Sequence, residues 1–213
     1  MTDLLLLPLA KASFSCYDDN VNFAWQSKLK LAHVLRTQVD GTLTFAFAGT
    51  MGAAEWVVDL LAIPIPLLCH PRLGTVHAGF YMDANAAVTE FILPTLMSLG
   101  FPSYYLTGHS KGGGDAVMAH ALLKDVGHPP VSTRVFEPPR VGGPKLKEFL
   151  SGDDLHWTQT RNRHVTDIVT LVPFGPMWEQ PTAPVILTAS DDDDLASLHR
   201  MPQVIASLTA LTI

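Results

Sequence analysis

Residues 1–213 predict a single α/β domain built on a mostly parallel sheet with helices on both faces. Three observations carry that expectation. Short β-prone runs alternate with longer runs whose apolar residues fall at helical spacing. One of those strands passes straight into one of those helices through a turn holding Gly108, Gly112, Gly113 and Gly114. The chain is also 47% hydrophobic and only 16% charged, enough to bury a sizeable core in one unit. There is no internal repeat and no linker, and the only low-complexity run is Asp191-Asp192-Asp193-Asp194.

The elements read in order. Residues 21–39 place Phe23, Leu29, Leu31, Val34 and Leu35 at helical spacing. Residues 42–48 are a β-prone strand that stops at Gly49-Thr50. Residues 55–61 predict a short helix. Residues 60–68 are almost wholly aliphatic, but Pro64 and Pro66 oppose both a helix and a central strand. Residues 76–99 predict a long helix that Pro94 kinks or ends. Residues 103–107 predict a strand and 115–124 the helix beyond the glycine turn. Strands at 133–136, 157–165 and 185–188, a short helix at 145–150 and a closing helix at 198–208 complete the alternation.

Bulk properties remove several function classes. The net charge is −6 and the basic residues form no stripe, so no nucleic-acid partner is expected. No apolar run is long enough to span a bilayer. Cys16 and Cys69 are too few for a disulfide scaffold, and two reduced thiols are the plain reading. Residues 1–7 lack the basic start of a secretory leader, so a cytoplasmic protein is expected.

The chemistry concentrates at Gly108-x-Ser110-x-Gly112. Glycines two residues either side let the backbone crowd into a sharp turn, which lifts a serine hydroxyl clear of the sheet. Alone, this spacing is weak and describes many glycine-rich turns; between a strand and a helix it reads as a nucleophile elbow. Serine needs a base, usually histidine, and the histidine needs a carboxylate to fix its tautomer.

Asp167 and His199 follow Ser110 in the order such a triad allows. Asp167 reads equally as a cap on a helical turn. His199 lies in the approach to the closing helix, while His164, His156 and His128 are rivals in poorer positions. One of Asp191 to Asp194 could serve as the acid instead, although four adjacent like charges usually form a solvated loop. The oxyanion of a tetrahedral intermediate needs convergent donors. The Lys111 amide supplies one, and Thr50 can supply another from the exit of its strand. The Lys111 side chain is read as a helix-start lysine reaching water. No metal-ligand spacing is present, and neither metal nor cofactor is expected.

Taken together, these motifs resemble the class 3 lipase family of α/β-hydrolases. Phe-Ala-Phe-Ala-Gly-Thr at 45–50 is similar to its oxyanion strand, and Glu-Trp-Val-Val-Asp-Leu at 55–60 to its D-W-x-x-D-L stretch. Val-His-Ala-Gly-Phe at 76–80 matches V-H-x-G-F. Thr-Gly-His-Ser-Lys-Gly-Gly at 107–113 resembles the elbow, with Lys111 replacing the usual leucine. Phe-Glu-Pro-Pro-Arg-Val-Gly at 136–142, the acid segment at 166–173 and the region of His199 follow in family order.

The resemblance implies an α/β-hydrolase fold. It also implies a Ser110, Asp167 and His199 triad, with Thr50 and Lys111 at the oxyanion hole. The expected activity is hydrolysis of lipid-like acyl esters through an acyl-enzyme. Leu60, Leu61, Ile63 and Ile65 are candidates for an acyl groove, ordinary core packing being the plainer reading. A small-ester esterase, a thioesterase or an acyltransferase would use the same triad; a non-catalytic binding module would use none of it.

Overall fold

The computed structural model describes residues 3–28, 32–49 and 63–211. The chain opens with helix α1 (Leu6–Phe14), a 3-10 turn (Ser15–Tyr17), and strands β1 (Trp25–Gln26), β2 (His33–Val39) and β3 (Thr42–Phe47). A small ladder of β4 (Pro64–Pro66) and β5 (Thr75–His77) precedes α2 (Ala78–Ala87) and α3 (Leu93–Ser98). Next come β6 (Tyr104–His109), α4 (Lys111–Asp125), β7 (Ser132–Phe136), α5 (Pro144–Phe149) and β8 (Leu155–Arg161). A 3-10 turn (Ile168–Leu171), β9 (Val185–Thr188), α6 (Leu195–Leu198) and α7 (Met201–Leu211) close the fold.

The main sheet runs β1-β2-β3-β6-β7-β8-β9. From β3 to β9 every pairing is parallel, and β1 and β2 add antiparallel strands at one edge. Helices cover both faces. On one, α2 and α4 bury Phe80, Met118 and Leu122 with Phe45, Leu106 and Val135. On the other, α1 and α7 bury Leu9, Val204 and Leu208 with Phe136 and Leu187. Central strands sandwiched in this way must be apolar on both sides, and all five residues of β7 are buried. Each fully buried Phe or Leu contributes about 1.5–3 kcal/mol through lost contact with water.

Four sequence expectations need correction. Residues 21–39 form no helix over their described part, but β1 and β2. Asp40 and Gly41 link β2 to β3 with φ of 49° and 77°, the paired left-handed conformation of a tight hairpin. An Asp-Gly pair between two β-prone runs is a strong hairpin signal, and it outweighs the helical spacing.

The long helix begins at Ala78 rather than at residue 76, because Val76 pairs with Ile65 in the small ladder. His77 then caps it, its Nδ1 accepting from the Gly79 amide at 3.1 Å. Pro94 has no N–H to return to the preceding turn, and the segment Val88–Ile92 widens into a π turn just before it. The closing helix is split: α6 and α7 flank a break at His199. The strand expected at 157–165 runs from Leu155 to Arg161, which leaves His164 in the following turn. Helix α1 was not anticipated at all.

The predicted helix at 55–61 lies outside the described residues. The proline-broken segment behaves as expected for β4, which stays out of the main sheet. No helix among the described residues is long and apolar enough to cross a membrane.

Candidate active site

Four neighbouring parallel strands each release the chain at the same edge of the sheet. Ser110 follows β6, Glu137 follows β7, Asp167 lies in the loop after β8, and His199 follows β9 and α6. The backbone locks these exits together. The Ser110 amide donates to the Phe136 carbonyl at 2.9 Å, Glu137 to Thr158 at 3.2 Å, and Asp167 to Thr160 at 3.0 Å.

At Ser110 the chain turns from strand to helix with φ 56° and ψ −127°, a sparsely populated conformation for a residue with a Cβ. The glycines make that turn possible. A Cβ at Gly108 would sit 2.2 Å from the Gly112 carbonyl oxygen, and one at Gly112 would sit 2.2 Å from that of Phe47. Both collisions would be with backbone. The amides at the start of α4 are thereby brought beside the serine, where a helix N-terminus favours negative charge.

Ser110 Oγ lies 2.8 Å from His199 Nε2, and His199 Nδ1 lies 2.8 Å from Asp167 Oδ2. Nδ1 faces a carboxylate and therefore carries the ring proton; Nε2 is left to accept from the serine hydroxyl. Asp167 is fully buried, and its other oxygen accepts from the Val169 amide at 3.0 Å. Asp167 thus caps a 3-10 turn while its other oxygen faces the histidine. The break between α6 and α7 is what aims His199 back at the sheet edge.

The rival residues are engaged elsewhere. His156 pairs with Asp3 and Asp154, His164 sits against Arg163, and His128 stacks on Phe101. In the acidic run, Asp191 pairs with Arg163, and Asp194 caps α6 by accepting from the Ser197 amide. Thr50, Leu60 and Leu61 lie outside the described residues. Ile63 is exposed, while Ile65 packs half-buried against the main core. Cys16 is buried and Cys69 exposed, and both are free thiols; burial pushes the Cys16 thiol up to about 12.

Several residues around the relay were not singled out from the sequence. His109 Nε2 lies 3.1 Å from the His199 carbonyl, and its Nδ1 lies 2.8 Å from the Tyr17 hydroxyl. Burial, and then the neighbouring His199, hold His109 well below the usual histidine range, so its ring is neutral. Nε2–H therefore donates to the carbonyl, and the Tyr17 hydroxyl donates to Nδ1. Glu137, fully buried, approaches both rings. Among the described residues, His109, Glu137 and His199 form the one cluster whose donors lie within 4.8 Å of each other. Their facing nitrogens are committed to a carbonyl and to Asp167, so the cluster offers no ready metal site.

The Lys111 side chain, only partly exposed, turns to two carboxylates. Its Nζ lies 2.6 Å from Asp83 and 2.8 Å from Asp115, tying the elbow to α2. The i, i+4 spacing of Lys111 and Asp115 was the available sequence signal. Burial works against the charge on Lys111, yet the two carboxyls outweigh it and raise its pKa. Two carboxyls share this one cation, and burial, the dominant influence, pushes Asp115 up to about 7.

A carboxyl whose pKa is raised on folding binds its proton more tightly in the folded chain. The stability it contributes is full below about pH 4 and is lost as pH rises through about 7. Asp115→Asn, fixed in the neutral form, is expected to flatten this part of the pH dependence of denaturant unfolding. An unchanged slope in the variant would refute the assignment.

Comparison with known proteins bears on the whole arrangement. A family model described as lipase (class 3) matches residues 44–177. A secreted mono- and diacylglycerol lipase 2 of Gibberella zeae is 31% identical over 170 residues, covering 67% of this chain and 41% of that protein. A lipase of Rhizomucor miehei is 29% identical over 151 residues, covering 67% of this chain and 40% of that protein. The structure of native Rhizomucor miehei lipase propeptide complex superposes with a TM-score of 0.67 at 20% identity, covering 88% of this chain and 68% of that one. The fold is that of the α/β-hydrolases. The chain spans about two fifths of the length of these curated relatives. The expectation of a cytoplasmic protein is overturned here, because a relative named as secreted points outside the cell. Two unpaired thiols and an unremarkable start do not weigh against that.

Proposed function

The chain belongs to the class 3 lipase family, and on that basis we propose that residues 1–213 act as one domain hydrolysing carboxylic esters of lipid-like acyl chains. A single observation carries the reading: the unbroken relay from Ser110 through His199 to Asp167, with 2.8 Å at each step. Ser110 Oγ attacks the ester carbonyl while His199 Nε2 takes its proton. Asp167 holds Nδ1–H in place and stabilises the imidazolium that forms. The Lys111 amide faces the developing oxyanion, with Thr50 as the second donor. His199 then returns the proton to the leaving alcohol, and water repeats the sequence on the acyl-enzyme.

The name of the Gibberella relative supports mono- and diacylglycerol esters as the substrate class. Leu60, Leu61, Ile63 and Ile65 are proposed as part of the acyl groove; Ile63 is exposed and Ile65 half-buried.

A fluorophosphonate probe is expected to label the protein at Ser110, and labelling that persists in Ser110→Ala would overturn the assignment. A chain-length series of p-nitrophenyl esters, run above and below the micelle threshold, then tests the substrate class. Turnover is expected to rise for the longer chains once micelles form; activity confined to short soluble esters would replace the lipid reading with a small-ester esterase.

A further inference from the structure

We propose that Glu137 is a second carboxyl for His199, a positioning residue able to take over the Nδ1 hydrogen bond when Asp167 cannot hold it. The inference rests on the triad reading above and deepens it.

The geometry comes first. Glu137 leaves β7, the strand between those that lead to Ser110 and Asp167. Its Oε2 lies 3.4 Å from His199 Nδ1, the same nitrogen that Asp167 approaches at 2.8 Å. It also lies 3.5 Å from His109 Nε2. Two carboxyls on adjacent strand exits thus flank one imidazole nitrogen, and a shift of about half an ångström would bring the second into hydrogen-bond range.

Glu137 is weakly engaged by its surroundings. It is fully buried; Thr160 on β8 is its hydrogen-bonding neighbour, and neither carboxyl oxygen has a partner at good geometry among the described residues. An unsatisfied buried polar group costs about 1–3 kcal/mol. Its φ is 53°, in the left-handed region that side chains other than glycine rarely adopt. Strain and a weakly held buried carboxyl at the edge of a catalytic relay point to function rather than packing.

Electrostatics explains why Glu137 stays silent in the intact protein. Burial, and then the charge on Asp167, push its pKa well above the usual carboxylate range. The groups facing it are His109 from β6, His199 from the turn before α7, Asp167 from the loop after β8, and Tyr17 from the turn after α1. None supplies a fixed positive charge, so the site tolerates one negative charge and Asp167 carries it. When that charge is removed, burial, the larger cause, still favours the proton, but the second cause is gone and the proton leaves at a lower pH than before. Glu137 then releases the proton to solvent and accepts Nδ1–H from His199.

The test compares Asp167→Ala, and Asp167→Ser, whose hydroxyl can still cap the Val169 amide, each with and without Glu137→Gln. Short-ester kcat/KM is measured against pH, and thermal unfolding establishes that each variant folds. Asp167 variants that retain Glu137 are expected to stay about 100-fold more active than the doubles and to gain activity as pH rises. The doubles should show the full loss of about 10⁴-fold that follows a wrong histidine tautomer, with no alkaline gain. Glu137→Gly, which suits the left-handed backbone, repeats the comparison where Gln does not fold. Singles and doubles of equal activity, or singles with no alkaline gain, overturn the proposal. So does a Glu137→Gln loss larger than that of Asp167→Ala, which would make Glu137 the primary acid. Full activity in Ser110→Ala would instead remove the triad reading itself, a result the Glu137 comparison cannot produce.

Discussion

Ser110→Ala is expected to lower ester turnover by about 10⁶-fold, because members of such a relay act as a unit and the loss of the nucleophile silences the rest. Residual rate above water would come from binding and from the donors at the start of α4. The fold should be unaffected. Alanine keeps the Cβ that Ser110 already places at φ 56°, and the amide bond to Phe136 is untouched. Turnover under saturating short ester, together with a thermal melt, checks both halves. A loss of only a few fold would show that another group attacks the ester. A large loss accompanied by unfolding would assign Ser110 a structural role that its contacts do not predict.

Gly108→Ala should have the largest effect on stability. One added methyl group lies 2.2 Å from the Gly112 carbonyl oxygen and 2.8 Å from the Gly113 amide nitrogen. Both are backbone atoms at the start of α4, so no side chain can swing aside. The first turn of the helix must lift from the strand, carrying Ser110 and the Lys111 amide with it. A cost of about 4 kcal/mol or more is expected, at the exceptional end for one substitution. Denaturant unfolding measures it. Ester turnover should fall even in whatever fraction remains folded. A variant of wild-type stability and activity would mean that strand and helix do not approach as closely as described. Gly41→Ala separates the two costs: nothing lies within 4 Å of the position its Cβ would take, so only the strain of φ 77° remains, and a smaller loss is expected.

The elbow was legible because its cause is local. Glycine spacing, a β-prone run before it and a helical run after it lie within about twenty residues, and β6 and α4 followed. Strands β3, β7 and β9 were legible for the same reason. Helix α1 was not. Residues 4–7 are a brief leucine run, and what holds the helix is remote: the Thr107 hydroxyl donates to the Leu9 carbonyl, and Arg134 pairs with Asp3. Those partners are separated by 98 and 131 residues. Strand β2 is hidden by the helical spacing of Phe23, Val34 and Leu35, although the Asp40-Gly41 turn beside it is a local signal.

At the site, Ser110, Asp167 and His199 were named from type and order, and they meet. Glu137 was passed over inside an apolar strand exit. No local pattern marks a charged residue that will be buried without a partner; only the convergence of three other strands makes it so. The pairing of Lys111 with Asp83 escapes a local reading for a similar reason, because Asp83 comes from a separate helix.

Tyr17 stands at a junction between the two sides of the chemistry. Its oxygen lies where a Cβ on Gly49 would be 2.1 Å away, at the exit of the strand that leads to Thr50. Its proton goes to His109, which in turn holds the carbonyl of His199. The strand exit at Gly49 and the backbone of His199 are therefore linked through one phenol and one imidazole. Neither side can be redesigned alone: an insertion that displaces the first is transmitted to the second, so variants chosen separately for each will not combine additively.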